Sequence, residues 1–460
     1  MQQGLVKFVG ALAGYPARML FAWYIGLVAV GTVLLLLPAC RAAGSDPLDF
    51  SDALFTATSA ASVTGLMVRS MATDLSFTGQ FVVLLLIQLG GLGIMSIGTL
   101  LFVSLAGHQP IQYRLLTSET LGTPLGANIG RLILMVLLVS LAVEAVGAMA
   151  LLLARLGDGP FTEILWWAVF HAVSGFCNSG IALQDASLAP WAGDPAIILT
   201  MSALIVLGGL GFPVLLDLLH IRRHGRDRRG LRFHSQVVIS ATVILLAGGT
   251  IAVWLAERHD ALAGMPAGEA LMNAFFQGVT ARTAGFSTLP VEHFAYPTLF
   301  LLLLLMFIGG GACSTAGGVK VSTVAVLAAE GFSLLRRRWQ TAAFRHGIPT
   351  RVLATAAAVV VVYALVLLAG IMLLLILEAH DKSHADAGGH FMDMVFEAVS
   401  ALGTVGLSTG VTADLGESSR LVLVAMMLLG RVGPLAMASL LLRGPKGPKI
   451  RYPESEVIVG

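Results

Sequence analysis

The apolar positions of this 460-residue chain come in long unbroken runs, without the spacing of one buried helix face or of alternating strands. "MLFAWYIGLVAVGTVLLLLPA" (19–39) and "TLFLLLLLMFIGG" (298–310) are two of them. Runs of about 20 such residues cross the hydrocarbon layer of a bilayer as helices. The pattern predicts eight of them, near 18–38, 78–105, 131–155, 195–219, 235–256, 297–327, 351–378 and 419–442. An even number puts both termini on one side. The first run is too long for a signal sequence, and its flank carries only Lys7 and Arg18, so "LPAC" (37–40) reads as the end of a span and not as a lipoprotein cleavage box.

A second, shorter pattern lies between the spans. "FSDALFTATSAA" (50–61), "TEILWWAVFHAVSGF" (162–176), "GEALMNAFFQGVTA" (268–281) and "HFMDMVFEAVSAL" (390–402) are too short to cross and too apolar for solvated loops. Re-entrant half-helices fit that description. Each runs into a turn: "SVTGL" (62–66), "CNSGI" (177–181), "RTAGF" (282–286) and "GTVGL" (403–407). The shared glycines are Gly65, Gly180, Gly285 and Gly406, at intervals of 115, 105 and 121 residues. A second glycine cluster follows each, at 90–93, 208–211, 309–318 and 430–433. One such turn is noise, but four in the same order form an internal repeat. The expected architecture is an all-α membrane protein with eight transmembrane helices, built as four span–half-helix–span repeats around a pseudo-fourfold pore. The repeats cover 1–122, 123–232, 233–346 and 347–460, the last with a short cytoplasmic tail.

Composition agrees with this: 57% of residues are hydrophobic and only 12% charged, too few charges to cover a soluble protein of this size. Net charge is +2, but its distribution is polarised. Arg222, Arg223, Arg226, Arg228, Arg229 and Arg232 share one loop, Lys320, Arg336, Arg337, Arg338, Arg345 and Arg351 mark another, and Arg443, Lys446, Lys449 and Arg451 the tail. The alternate loops are acidic, with Asp381 and Asp386 in the last of them. Basic loops stay cytoplasmic, which places both termini inside and makes a nucleic-acid partner unnecessary. Cys40, Cys177 and Cys313 show no disulfide or metal-ligand spacing. With no phosphate-binding loop and no nucleophile–base set, the chain reads as neither an enzyme nor an organic-cofactor protein.

Irregular backbone at membrane depth must line a water-filled cavity or be buried in protein. Four glycine turns around one axis would turn rings of carbonyl oxygens toward a cation. Each half-helix would point its negative end there, with Asp52, Glu163, Glu269 and Asp393 capping the positive ends. Arg431, deep in the last span, is costly unless it faces the pore or a polar partner; the alternative is snorkelling to the interface. "GGGACSTAGGVK" (309–320) is too rich in glycine for a straight helix. Arg282 would brace the third turn from behind, and Asn178 is either a lining group or a structural hydrogen bonder. Glu144 is either a coupling site or a partnered buried carboxyl, and the latter is favoured. His171 reads as a core histidine, and 107–122 as a cytoplasmic amphipathic segment.

From about residue 18 to 442 these turns resemble the Trk/Ktr/HKT superfamily of potassium transporters, most closely its KtrB-type membrane subunits. The resemblance implies potassium uptake, with sodium as a possible second ion, across the bacterial cytoplasmic (inner) membrane. It implies a selectivity filter of Val63, Thr64 and Gly65; Asn178, Ser179 and Gly180; Thr283, Ala284 and Gly285; and Thr404, Val405 and Gly406, with potassium held at the four glycines. It also implies a gate of Gly309, Gly310, Gly311, Ala312, Cys313, Ser314, Thr315, Ala316, Gly317 and Gly318 with Arg431; Lys320 either belongs to it or is only a boundary cation. The implied partners are a second copy of the chain, membrane lipid and a cytoplasmic RCK-type nucleotide-binding ring. The last glycine of a potassium-channel signature is absent, with Met67, Ala182, Ser287 and Ser408 in its place, so selectivity should be less sharp. Gly65, where sodium-selective plant relatives carry serine, favours potassium. The alternatives are the potassium-binding subunit of a P-type pump, a sodium-permeable HKT-like transporter, and a secondary carrier with inverted repeats.

Overall fold

The computed structural model describes residues 16–107, 129–224, 231–378 and 389–433. The amphipathic segment beyond Gly107, the centre of the first basic loop, the acidic loop at 379–388 and the basic tail lie outside them. Fourteen α-helices fill the described residues: α1 Pro16–Leu35, α2 Phe50–Ser62, α3 Phe77–Gly107, α4 Ile129–Ala154, α5 Phe161–Phe176, α6 Pro195–Leu210, α7 Phe212–His224, α8 Phe233–Glu257, α9 Ala267–Thr280, α10 Tyr296–Phe307, α11 Val321–Leu335, α12 Thr350–Glu378, α13 His390–Gly403 and α14 Glu417–Val432. A two-residue hairpin, β1 Ala342–Ala343 and β2 His346–Gly347, joins α11 to α12.

Each expected half-helix is present, as α2, α5, α9 and α13; α2, α5 and α13 pack beside the helices on both sides of them in the chain, and α9 beside the one before it. These groups touch in chain order, through α3 with α4, α6 with α9 and α10 with α13, and α14 returns to α2, so the packing closes on itself. Among the described residues α4 (from Ile133), α8 and α12 are long and apolar enough to cross a bilayer unaided. The side chains on their outer faces are apolar and exposed: Leu138, Ile244 and Leu365 are examples.

Two expected spans are not single helices. The run at 195–219 bends by 104° between α6 and α7, and the run at 297–327 divides into α10 and α11 around an irregular stretch, 308–320. The two breaks satisfy each other. Gly211, in left-handed backbone at φ +90°, ends α6 and frees the carbonyls of Gly208 and Gly209. Those oxygens accept the Thr315 N–H at 3.2 Å and the Gly311 N–H at 2.8 Å, while Phe212 N–H donates to Cys313 O at 3.1 Å. Polar backbone without water must pair inside the protein, and here two broken helices supply each other's partners.

The second glycine cluster has its own reason. A Cβ on Gly90 would stand 2.8 Å from the carbonyl carbon of Ala61, and one on Gly430 2.8 Å from that of Leu402; on Gly208 it would collide with the Phe176 oxygen. These glycines let α3, α6 and α14 press backbone to backbone against the C-terminal ends of α2, α5 and α13. Alanine is the better helix former by about 1 kcal/mol, yet overpacking costs roughly 1–3 kcal/mol. Gly430→Ala should therefore lower the melting temperature of the detergent-purified protein, followed by size exclusion after heating. An unchanged melting temperature would mean the helices separate without penalty.

Candidate functional site

Within three residues of the end of each half-helix, a residue that is not glycine enters left-handed backbone. Val63, Asn178, Thr283 and Thr404 have φ of 55°, 58°, 68° and 49°, and two residues later Gly65, Gly180, Gly285 and Gly406 have φ of 101°, 73°, 78° and 93°. The same two-residue alternation of hand therefore occurs four times, and alternation of hand sends successive carbonyls to one side of the chain. Side chains are strained at positive φ and glycine is not, which accounts for the shared glycine.

The four glycines meet. A Cβ on Gly65 would lie 3.1 Å from the Cα of Gly406 and 3.3 Å from that of Gly180; one on Gly285 would lie 3.0 and 3.1 Å from the same two Cα atoms. Each glycine also faces the carbonyl of the residue preceding the next: Gly65 faces Ser179 O, Gly180 Ala284 O, Gly285 Val405 O and Gly406 Thr64 O. The contacts run around a closed ring in chain order. Residues 115, 105 and 121 positions apart in the sequence thus become neighbours. The buried hydroxyls of Ser179, Thr283 and Thr404 have no protein partner within the described residues.

A set of hydroxyl residues that the turns alone did not reveal holds the ring. The Ser59 hydroxyl accepts the Gly65 N–H at 3.0 Å, and Ser400 the Gly406 N–H at 3.0 Å. The Ser174 hydroxyl donates to Ile181 O at 2.7 Å, and Thr280 to Phe286 O at 2.6 Å. All lie five or six residues before their glycine, a spacing visible in the sequence once the turns are aligned. Asn178 is a structural bonder: with its amide oriented to suit its surroundings, it donates to Ile205 O and Gly175 O, both at 3.1 Å.

The carboxylates Asp52, Glu163, Glu269 and Asp393 do occupy first turns, but none makes a side-chain cap, so what they offer the half-helices is charge alone. Asp52 has a further task. It is buried between Arg69 (Nε, 2.6 Å) and Arg420 (Nη1, 2.8 Å), tying α2 to α14. Glu144 is partnered, accepting Gln88 Nε2 at 2.9 and 3.2 Å, and His171 Nδ1 lies 2.8 Å from Trp167 O with its ring stacked on that indole.

The 309–318 stretch lies against the ring's rear. Gly317 packs on Gly403 and Thr404, the Thr315 hydroxyl donates to Phe176 O at 3.1 Å, and Lys320 Nζ donates to Ala316 O at 2.6 Å. The Ser314 hydroxyl donates to Gly311 O at 2.7 Å, which tightens the loop on itself. Two buried guanidiniums hold it. Arg431 donates to Thr315 O, to the Tyr24 hydroxyl at 3.2 Å and to Gly90 O at 3.3 Å. Arg282 reaches Gly309 O and the Thr242 hydroxyl, both at 3.4 Å, from behind the third turn. Arg431 is thus buried deep in the protein, at 2% exposure, and does not snorkel outward.

Breaking the Asp52 cluster tests this account of the junction. Asp52→Asn keeps the shape but takes the buried carboxylate from both guanidiniums, a loss of about 1–3 kcal/mol. The variant should melt below the parent, and Arg420→Ala should do the same. Parent-like melting of both would make the cluster incidental.

A family profile described as TrkH, cation transport protein, matches residues 23–446. The chain is 34% identical over 455 residues to Ktr system potassium uptake protein B of Vibrio alginolyticus, covering 98% of this chain and 96% of the relative. It is 33% identical to the protein of the same name from Bacillus subtilis, covering 97% of each, and 34% identical to the potassium/sodium uptake protein NtpJ of Enterococcus hirae, again covering 97% of each. In fold it matches the crystal structure of the potassium transporter TrkH from Vibrio parahaemolyticus with a TM-score of 0.72 at 22% identity, over 92% of this chain and 83% of the other.

Proposed function

Because the chain belongs to the TrkH family of cation transport proteins, we propose that it takes up potassium through the centre of its four glycine turns. The observation that carries this reading is the closed ring in which each turn glycine faces the next turn's carbonyl. Carbonyls of Val63, Thr64 and Gly65, and of their counterparts 178–180, 283–285 and 404–406, replace the water around a potassium ion. The half-helix ends add negative potential at the same point. The unpartnered hydroxyl of Thr283 supports a polar lining. Ser408, where a symmetric filter would carry glycine, bonds Glu397, so the outermost ring is lost and discrimination against sodium is modest. One relative is named for sodium as well as potassium, and sodium is the second ion in this reading.

In this reading α6 with α7, and α10 with α11, each count as one broken span. The spans then number eight in four repeats with the boundaries given above. Both termini face the cytoplasm of a bacterium, and the subunit pairs with a second copy on an RCK-type nucleotide-binding ring. The 309–318 stretch with Arg431 is the gate. Two unit charges about 5 Å apart repel by roughly 3 kcal/mol at an effective dielectric near 20. Uncompensated, that slows a cation on the order of a hundredfold. The carbonyls of Thr315 and Gly90 hold the guanidinium, and a partner that moves α11 shifts the balance.

Gly406→Ser puts a side chain against Thr64 O and Gly65. It should lower both the melting temperature and, in the protein that still folds, the potassium-over-sodium preference in proteoliposome flux. Parent-like uptake and preference would exclude the ring as the filter. Arg431→Ala, or deletion of 311–316, should raise potassium flux in liposomes lacking any partner, by up to about a hundredfold. If neither is faster than the parent, the gate lies elsewhere.

A further inference from the structure

α11 begins at Val321, where the loop held by Arg431 ends, and only residues 336–349 separate its other end from α12. Both helices are apolar, and α12 has the length of a full span, so the hairpin between them cannot lie far from the bilayer surface. It is firmly seated. The Thr341 hydroxyl bonds Glu330, Ile348 N–H donates to Thr341 O at 2.8 Å, and the rings of His346 and Phe233 lie 5.0 Å apart.

On this seated base the side chains point outward. Trp339 is fully exposed and Leu335 85% exposed, and Phe332 and Phe344 stand beside them in sequence, also exposed. Arg336, Arg337, Arg338 and Arg345 are exposed too, and none is ion-paired among the described residues. Residues 331–349 contain no aspartate or glutamate. Phe344 and Arg345, the two residues of the hairpin turn, hold the positive φ (48° and 66°) that a two-residue turn requires, and Arg337 (φ 50°) ends α11. An exposed tryptophan among guanidiniums, at the end of an apolar helix, suits the boundary where headgroups meet acyl chains.

Resting on the membrane reading above, we propose that Arg336, Arg337, Arg338 and Arg345, with the exposed Trp339 following the first three in the chain, bind anionic lipid headgroups. The bound lipid fixes the outer end of α11 and thereby biases the loop at its inner end. A ligand shifts such an equilibrium only by its preference for one state, so the lipid effect must depend on the position of α11.

The test is native mass spectrometry of the purified protein titrated with phosphatidylglycerol or phosphatidylcholine, paired with potassium flux in vesicles with and without phosphatidylglycerol. The parent should retain phosphatidylglycerol preferentially and change its flux with it. The triple change Arg336→Gln, Arg337→Gln, Arg338→Gln should weaken that retention on the order of a hundredfold, about fivefold per guanidinium, and abolish the flux response. Lysine at the same three positions should preserve both. Equal retention of the two lipids by the parent, or parent-like retention by the glutamine variant, would overturn the site and leave this face to a protein partner or to water. Lost retention with an unchanged flux response would overturn the link to α11. A parent that retains the lipid but moves no potassium would refute the transport reading and leave the lipid site standing.

Discussion

The structure depends on how closely four glycine backbones approach one another. Around the ring, the space that a Cβ would occupy is already taken by a carbonyl from the next turn. That contact fixes the half-helices, because each turn is the last few residues of one. It fixes the next layer too, since α3, α6 and α14 must press against those same helix ends without side chains between them. The glycine clusters are thus successive shells of one close approach, with hydroxyls at Ser59, Ser174, Thr280 and Ser400 pinning the innermost shell.

The third turn's surroundings differ from the rest, and the difference breaks the fourfold pattern. Where Gly90, Gly208 and Gly430 sit against helix ends, Gly309 packs on Gly317 of its own loop. The chain there leaves the helix, crosses to Gly208 and Gly209, and passes the Arg431 guanidinium before resuming as α11. The loop is satisfied by other broken backbone on one side and by buried charge on the other.

Much of this is legible in the sequence because a repeated turn is an unusual pattern in an apolar chain. The half-helices fall within a residue or so of where the short apolar segments put them, and the four glycines that recur in sequence do meet. Arg431 and the 309–318 stretch, singled out separately by charge and by composition, are in contact. The bend at Gly211 was overlooked although "GGLGFP" signals it: Gly211 takes φ +90° past the end of α6, and Pro213, with no N–H to donate, sits in the first turn of α7. Only the hydrogen bonds that satisfy the break, offered by residues a hundred positions later, were hidden. The partners of Asp52 were equally hidden. Arg420 lies 368 residues away, and nothing local distinguishes it from an ordinary boundary arginine.

The central claim is that a potassium ion sits where the four turns meet. Crystals grown with rubidium or thallium in place of potassium, measured at the matching absorption edge, locate that ion directly. The account predicts anomalous density on the axis bounded by the backbones of Gly65, Gly180, Gly285 and Gly406, displaced by excess potassium. Density only elsewhere, with that axis empty under saturating ion, would contradict it.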